Sequence, residues 1–347
     1  MKKELKGLSN PIKFQEIPSI KDIEIEKLRE MLESMILIRL SEEKLADARK
    51  NGLIGGPVHL GAGQEAIAVG ISQSLKSSDR VFGAHRSHSH LLALNPDFYK
   101  LFAEVLGKKT GFSKGMGGSM HLYDQPSGFY GSVPIVAGTV SLAVGAAMAA
   151  KMQKTNDIGL AYIGDGAVEE GVVHESFNLA RVYDAPMLFV IENNLFASHM
   201  HISLRQTSDL ISRFATANNI PYELVDGNDV SSIYRIAKKQ IEDIRSGGGP
   251  RFIELVTYRH YGHVDWRDDI DVGVERSLED VSNWKLRDPI LRLSNAMIEN
   301  GLWSKDKENE LVYSLNQEID NAWNKAMEDP YPEHDATLNY VYADNQR

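Results

Sequence analysis

The sequence contains no cysteine. That excludes disulfides, thiolate-bound metals and thiol catalysis. A long apolar run is also missing. The longest stretch of small apolar residues, Ser141 to Ala150, is too short to span a bilayer. No basic block is present either: 38 Lys and Arg stand against 48 Asp and Glu, a net charge of −10. Nucleic acid is therefore not expected as the main ligand, because phosphate contacts need clustered Lys and Arg. The opening MKKELKGLSNPIKF carries charge without a following apolar segment, so it does not read as a secretory signal. There is no internal repeat and no low-complexity tract. The expectation is a cytoplasmic protein that meets neither membrane nor nucleic acid.

What is present is material for a core. With 347 residues, 42% of them hydrophobic, the chain suffices for one large α/β domain with extensions, or for two small domains. The most informative stretch runs from Ile158 to Phe196. The apolar run Ile158 to Ile163 stops at Gly164-Asp165-Gly166. Residues of helical period follow, with Val172, Leu179 and Tyr183 on one stripe and Val173, Phe177 and Ala180 beside it. Asp184-Ala185-Pro186 ends that helix, and Met187 to Ile191 is a second apolar run closed by Glu192-Asn193-Asn194. This is a βαβ unit of a parallel sheet. Ligands of such sheets sit beyond the carboxyl ends of the strands, where Asp165 and Asn194 fall.

Residues 1–22 read as an irregular arm, and 23–50 as a long amphipathic helix. Gln64 to Leu75 is a helix entered from a glycine loop. Gly61-x-Gly63-x-x-Ala66 formally matches a dinucleotide fingerprint, but the GLIGGPV before it is a poor strand, and the fingerprint needs one. His59, just ahead, is the more interesting residue. Asp79 to Ala84 is a strand that runs into His85-Arg86-Ser87-His88-Ser89-His90. The spacing of these three His differs from the i, i+4 of helical zinc pairs. A polar rim, with Arg86 offering a fork to phosphate, fits better than a local metal site. Residues 107–133 form a long loop over a site, with His121 as its chemical residue. Gly138 to Met152 is a helix of small residues, suited to a buried core or to a contact between subunits. Two further strands end in Asp226-Gly227 and, after Arg251 to Tyr258, in Arg259-His260-Tyr261-Gly262-His263. Strand and helix alternate throughout, which predicts an α/β, doubly wound, mostly parallel sheet. One domain spans residues 23–277, with residues 278–347 as its helical C-terminal extension.

Three strand-end clusters then share one rim: His85-Arg86, Asp165 through Asn194, and His263. Asp and Asn oxygens on neighbouring strands suit Mg²⁺, which binds substrate phosphates. A helix starting near Ala167 offers amides and a positive dipole end to an anion. Together they describe a magnesium-bridged diphosphate. Gly164-Asp165-Gly166, then 26 residues, then Asn193-Asn194, resembles the thiamine-diphosphate motif. The segments HLGAGQEA, KGMGGSMH, GDGAVEEGVVHESFNLA, VIENN, VDGND and TYRHYGH resemble the alpha subunit of the decarboxylating component of 2-oxo-acid dehydrogenase complexes. Pyruvate, branched-chain and acetoin dehydrogenases belong to that group.

The resemblance implies a thiamine-diphosphate-binding fold. It implies that Asp165 and Asn194 bind Mg²⁺ through side chains and Phe196 through its main-chain carbonyl. Arg86 and the backbone of Gly166 and Ala167 would hold the diphosphate, with His85 beside them, and Val136 would meet the aminopyrimidine. His59, His121 and His263 would line the reacting carbon, orienting substrate and moving protons. The activating Glu would come from a beta subunit in an α₂β₂ assembly, so this chain would hold half a site. The acyl group would pass to the lipoyl group of an acyltransferase component. Acetoin cleavage or a carboligase or half-transketolase reaction is the alternative.

Some positions depart from the family pattern. His85 stands where Tyr is usual, and Pro134 where Gly is common. The loop VDWRDDIDVGVER lacks the usual serine beside His263. Val264 has no hydroxyl to phosphorylate.

Overall fold

The computed structural model describes residues 1–268 and 276–339. Its eight strands are β1 (Arg80–Phe82), β2 (Phe129–Gly131), β3 (Gly159–Gly164), β4 (Met187–Asn193), β5 (Phe196–Ala197), β6 (Met200–His201), β7 (Tyr222–Asp226) and β8 (Arg251–Val256). The first helices are α1 (Ile25–Lys50), α2 (Glu65–Ser72), α3 (His88–Leu92), α4 (Phe98–Val105), α5 (Val140–Gln153) and α6 (Gly171–Val182). Later come α7 (Arg213–Ala217), α8 (Val230–Asp243), α9 (Leu278–Lys285), α10 (Pro289–Glu299) and α11 (Lys305–Glu328).

Six strands form one parallel sheet in the order β2-β1-β3-β4-β8-β7. Alternation along the strands feeds two cores. Leu160, Tyr162, Leu188 and Val190 face the core shared with α1, α2, α8 and α11, while Ala161, Ile163, Phe189 and Ile191 face the one shared with α5 and α6. Helices on both faces make the fold doubly wound, as expected. From β1 the chain steps outward to edge strand β2, then returns across β1 to β3. The order reverses at β1 and β3, and a crevice opens there beyond their carboxyl ends.

Small residues let α5 lie close on the sheet. A Cβ on Gly159 would come within 2.5 Å of the Ala143 carbonyl oxygen. Ala143, Val144, Ala147 and Ala150 of α5 are buried, while Leu142 and Met152 are exposed. Trp284 of α9 is buried against Tyr258, with ring centroids 5.2 Å apart.

Four sequence expectations need correction. The loop 107–133 contains edge strand β2, whose three residues are too few to show a period of two. His199 to Leu210 reads in the sequence as loop, but its start holds β6, paired antiparallel with β5. The helix expected near Ala167 begins at Gly171, after a 3₁₀ turn over Ala167–Glu169, so the dipole end is not where the anion argument placed it. His88 and His90 lie in α3 and are buried, not on a polar rim.

Candidate active site

At the end of β3, Gly164 hands over to Asp165, which is 1% exposed. Its amide donates to the Glu192 carbonyl at 3.2 Å, keeping it in line with β4. Gly166 follows under the β5 hairpin, where a Cβ would come within 2.5 Å of Ala197 Cβ. A glycine is needed for that approach. At the end of β4, Asn194 donates from Nδ2 to Gln64 Oε1 at 3.0 Å and accepts the Phe196 amide on Oδ1 at 3.2 Å. Leu195 between them has φ 71°, a left-handed conformation that costs a bulky residue about 1–2 kcal/mol. The sharp turn it makes brings Asn194 and Phe196 back toward Asp165. Asn193 does not join them: its Nδ2 donates to Glu254 Oε1 at 2.7 Å, inside the fold.

The Asp165 carboxylate is bound to the Arg205 guanidinium, which also binds Glu169. Burial pushes the Asp165 carboxyl above its ordinary pKa, and the charge of Arg205 opposes that shift. A cation thus already stands at the carboxylate. Sequence reading missed Arg205, because it lies in a loop 40 residues from Asp165 and no motif points to it. Gln64 was missed too, being read as the opening of a helix.

After β1, Arg86 is buried and its forks are in use. Nη1 donates to the Leu60 carbonyl at 2.7 Å and Nη2 to the His263 carbonyl at 3.1 Å. It ties the glycine loop before α2 to the loop after β8. Those loops bring His59 and His263 to His85, with ring centroids 4.8 Å (His59–His85), 5.2 Å (His59–His263) and 5.5 Å (His85–His263) apart. Burial first, then Arg86, lowers the pKa of His59 to about 3, of His85 to about 2 and of His263 to about 3. All three are neutral imidazoles at neutral pH.

These pieces line one cavity of about 440 Å³. His59, His85, Arg86, Val136, Asp165, Gly166, Ala167, Asn194, Phe196 and His263 all face it, so ten of the eleven expected site residues meet in one place. His121 does not. It is exposed, with Nδ1 at 3.2 Å from the Gly117 carbonyl oxygen, while its neighbour Met120 reaches the cavity wall. His88 and His90 turn away, to Glu42 at 3.0 Å and Glu192 at 3.1 Å. The glycine fingerprint has no strand before it. Its Gly63, at φ 95°, lies against the chain leaving β8, where a Cβ would come within 2.6 Å of His260. Of the divergent loop after His263, residues 269–275 lie outside the described residues.

The profile of the dehydrogenase E1 component family matches residues 33–335. The chain belongs to that family. The alpha subunit of an acetoin:2,6-dichlorophenolindophenol oxidoreductase from Bacillus subtilis (strain 168) is 35% identical over 93% of this chain and 95% of its own length. Pyruvate dehydrogenase E1 alpha subunits are similarly related. The one from Rhizobium meliloti (strain 1021) is 35% identical over 90% of this chain and 88% of its own. The one from Rickettsia bellii (strain RML369-C) is 32% identical over 97% and 98%. The chain is thus an alpha-type E1 subunit, an oxidoreductase component of a 2-oxo-acid dehydrogenase. Among its described residues no helix is long and apolar enough to cross a membrane.

Proposed function

We propose that this E1 chain is the alpha half of a thiamine-diphosphate- and Mg²⁺-dependent decarboxylase of a small 2-oxo acid, acting in the cytoplasm. The observation that carries the reading is the buried Asp165 carboxylate, cation-bound and set beside Asn194 and Phe196 in the cavity. A buried carboxylate holding a positive charge suits a divalent cation. Gly166, pressed against Ala197 with no room for a Cβ, lines the same cavity, where its backbone would meet a diphosphate.

In this reading Asp165, the Asn194 side chain and the Phe196 carbonyl hold Mg²⁺. Arg86 and the backbone of Gly166 and Ala167 hold the diphosphate, and the Val136 backbone meets the aminopyrimidine. When bound, the cofactor supplies the nucleophilic thiazolium carbon and the electron sink for decarboxylation. His59 and His263 orient the substrate. As neutral imidazoles they donate or accept single hydrogen bonds at its oxygens without adding charge. His121 joins them from the loop beside Met120, once the partner covers the cavity.

Among the described residues the site has no free activating carboxyl of its own. Glu192 lines the cavity but accepts from His90 at 3.1 Å, and Glu65 is bound to Arg39 at 2.6 Å. We therefore assign the activating Glu to a beta subunit. Its landing face is the exposed apolar strip of Leu142 and Met152 on α5 with Leu179, Val182 and Tyr183 at the end of α6. The acyl group then passes to a lipoyl-bearing acyltransferase.

The test is co-expression with the beta chain. A panel of 2-oxo acids, with acetoin included, is scored for carbon dioxide release, dye reduction and acyl-lipoamide. Turnover that needs both chains, the cofactor and Mg²⁺ is expected. Full turnover by this chain alone would refute the split site, and ligated sugar or acyloin in place of acyl-lipoamide would move the enzyme to the carboligase class.

A further inference from the structure

We propose that His59, His85 and His263 form a second cation site, for a borderline divalent metal of the zinc class, distinct from the oxygen site at Asp165. Three elements contribute one ligand each: the glycine loop before α2, the exit of β1 and the exit of β8. Their ligand nitrogens all lie within 4.8 Å of one another. Zinc–imidazole bonds of about 2.0–2.1 Å require nitrogens about 3.3 Å apart in a tetrahedron, so the rings close by about 1–1.5 Å. Closing by that much calls for a change of side-chain rotamer and not of fold.

A second observation points the same way. His59 is 7% exposed, and its Nδ1 has no hydrogen-bond partner. A buried, unpartnered ring nitrogen is costly unless something binds it. All three rings keep their lone pairs at neutral pH, because burial and Arg86 disfavour their protonation. Three nitrogens and no carboxylate select zinc, cobalt or nickel over magnesium. The nearby Arg86 guanidinium, bound to the carbonyls of Leu60 and His263, also lies 3.5 Å from His263 Nδ1 and so weakens the site. The fourth coordination position opens on the cavity that all three residues line. A bound zinc therefore stands at the substrate's place and closes it. His85, at the exit of β1, completes the triad.

The test uses the full, metal-free chain titrated with Co²⁺ as a visible probe. The expected result is one Co²⁺ per chain with the intense d–d bands of a tetrahedral nitrogen-rich site. Zn²⁺ should displace it, and a large excess of Mg²⁺ should not. Asp165→Ala should retain it, whereas His85→Gln should weaken it at least about tenfold, as loss of one of three ligands requires. His85→Cys distinguishes ligation from misfolding: a thiolate also binds, so Co²⁺ binding should return with a new sulfur-to-metal charge-transfer band. Absence of stoichiometric Co²⁺ binding would overturn the proposal. So would binding that Mg²⁺ competes away and Asp165→Ala abolishes, since that metal would sit at the oxygen site. Neither readout depends on turnover, so failure here leaves the decarboxylase reading intact.

Discussion

Arg39 and Arg205 are both mostly buried, and each is held between two carboxylates. Arg39, on α1, binds Glu65 at 2.6 and 2.9 Å and Asp288 at 2.7 Å. Glu65 opens α2 and also accepts the Gly63 amide at 3.0 Å. Asp288 caps α10, accepting the amides of Ile290 and Leu291 at 2.9 and 3.1 Å. Burial works against the Arg39 charge, yet its two carboxylates hold its pKa above the ordinary value. That bridge ties three helices. Arg205 stands on a loop, and its partners are Asp165 on the cavity wall and the exposed Glu169. The chemistry is the same, but the first bridge is part of the fold and the second guards a site. In the proposed function a cation that enters the cavity replaces Arg205 on Asp165, whereas replacing Arg39 would undo helix packing.

The largest effect tests the second bridge. Asp165→Ala should abolish Mg²⁺-dependent cofactor binding. The loss should exceed about a hundredfold, since changes behind a metal's ligands alone cost 10–100-fold. Melting temperature should stay within a few degrees. Cofactor titration by intrinsic fluorescence measures this, and parent-like affinity would remove the metal assignment.

The first bridge should fail in the opposite way. Arg39→Met leaves two buried carboxylates without their cation, a loss of about 3–5 kcal/mol. Melting should drop by the order of 10 °C. The folded fraction should bind cofactor as the parent does. If the variant stays stable, or loses cofactor affinity while folded, the two bridges do not divide the work this way.

These two bridges also show how far the sequence could be read. Asp165 and Asn194 were legible because strand ends in a parallel sheet share a rim, so two local patterns imply one place. Arg86 and His263 were legible through the same strand-end logic and the family likeness, and His59 through the family likeness. Arg205 was not: its loop has no period, and nothing local in it points to Asp165, 40 residues earlier in the chain. The segment His85-Arg86-Ser87-His88-Ser89-His90 looked like one cluster. The structure splits it, because α3 begins at His88 and turns the second and third His inward. The missed strand β2 is short enough that its pairing with β1 alone defines it.

A middle-sized effect separates the two roles directly. Arg205→Met should lower the melting temperature of the cofactor-free chain, since it strips the cation from buried Asp165. Mg²⁺ with cofactor should then raise that temperature by more than it does in the parent, because the metal no longer displaces a resident charge. Differential scanning fluorimetry with and without ligand reads both numbers. Equal shifts in parent and variant would mean that Arg205 does not compete for the carboxylate.

A smaller effect is expected from acid. His260, beside Asp288 in the first bridge, has its pKa lowered to about 3, mainly by burial and then by Arg39. His59, His85 and His263 by the second site are lowered similarly. The unfolded chain takes up these protons near pH 6.5 and the folded chain only near 2–3. Their stabilisation is therefore complete above about pH 6.5 and is lost progressively as the pH falls toward 3. His260→Asn removes one of the four protons, so its loss of melting temperature between pH 7 and pH 4.5 should be smaller than the parent's. An unchanged loss would show that His260 is protonated in the fold and belongs electrically to the Asp288 bridge.

The smallest effect isolates the outer half of the second bridge. The Glu169 side chain is 32% exposed, against 1% for Asp165, so water already screens its pairing with Arg205. Exposed pairs contribute about 0.2–1 kcal/mol. Glu169→Gln should therefore cost little stability. Its effect on the site has a definite sign, however. Glu169 gives Arg205 a place to rest when a metal takes Asp165. Without it the guanidinium is bound to Asp165 alone and yields less readily, so Mg²⁺-dependent cofactor affinity should fall by a few-fold while melting is unchanged. A rise in affinity would instead show that Glu169 holds Arg205 against Asp165. The second bridge would then be as fixed as the first.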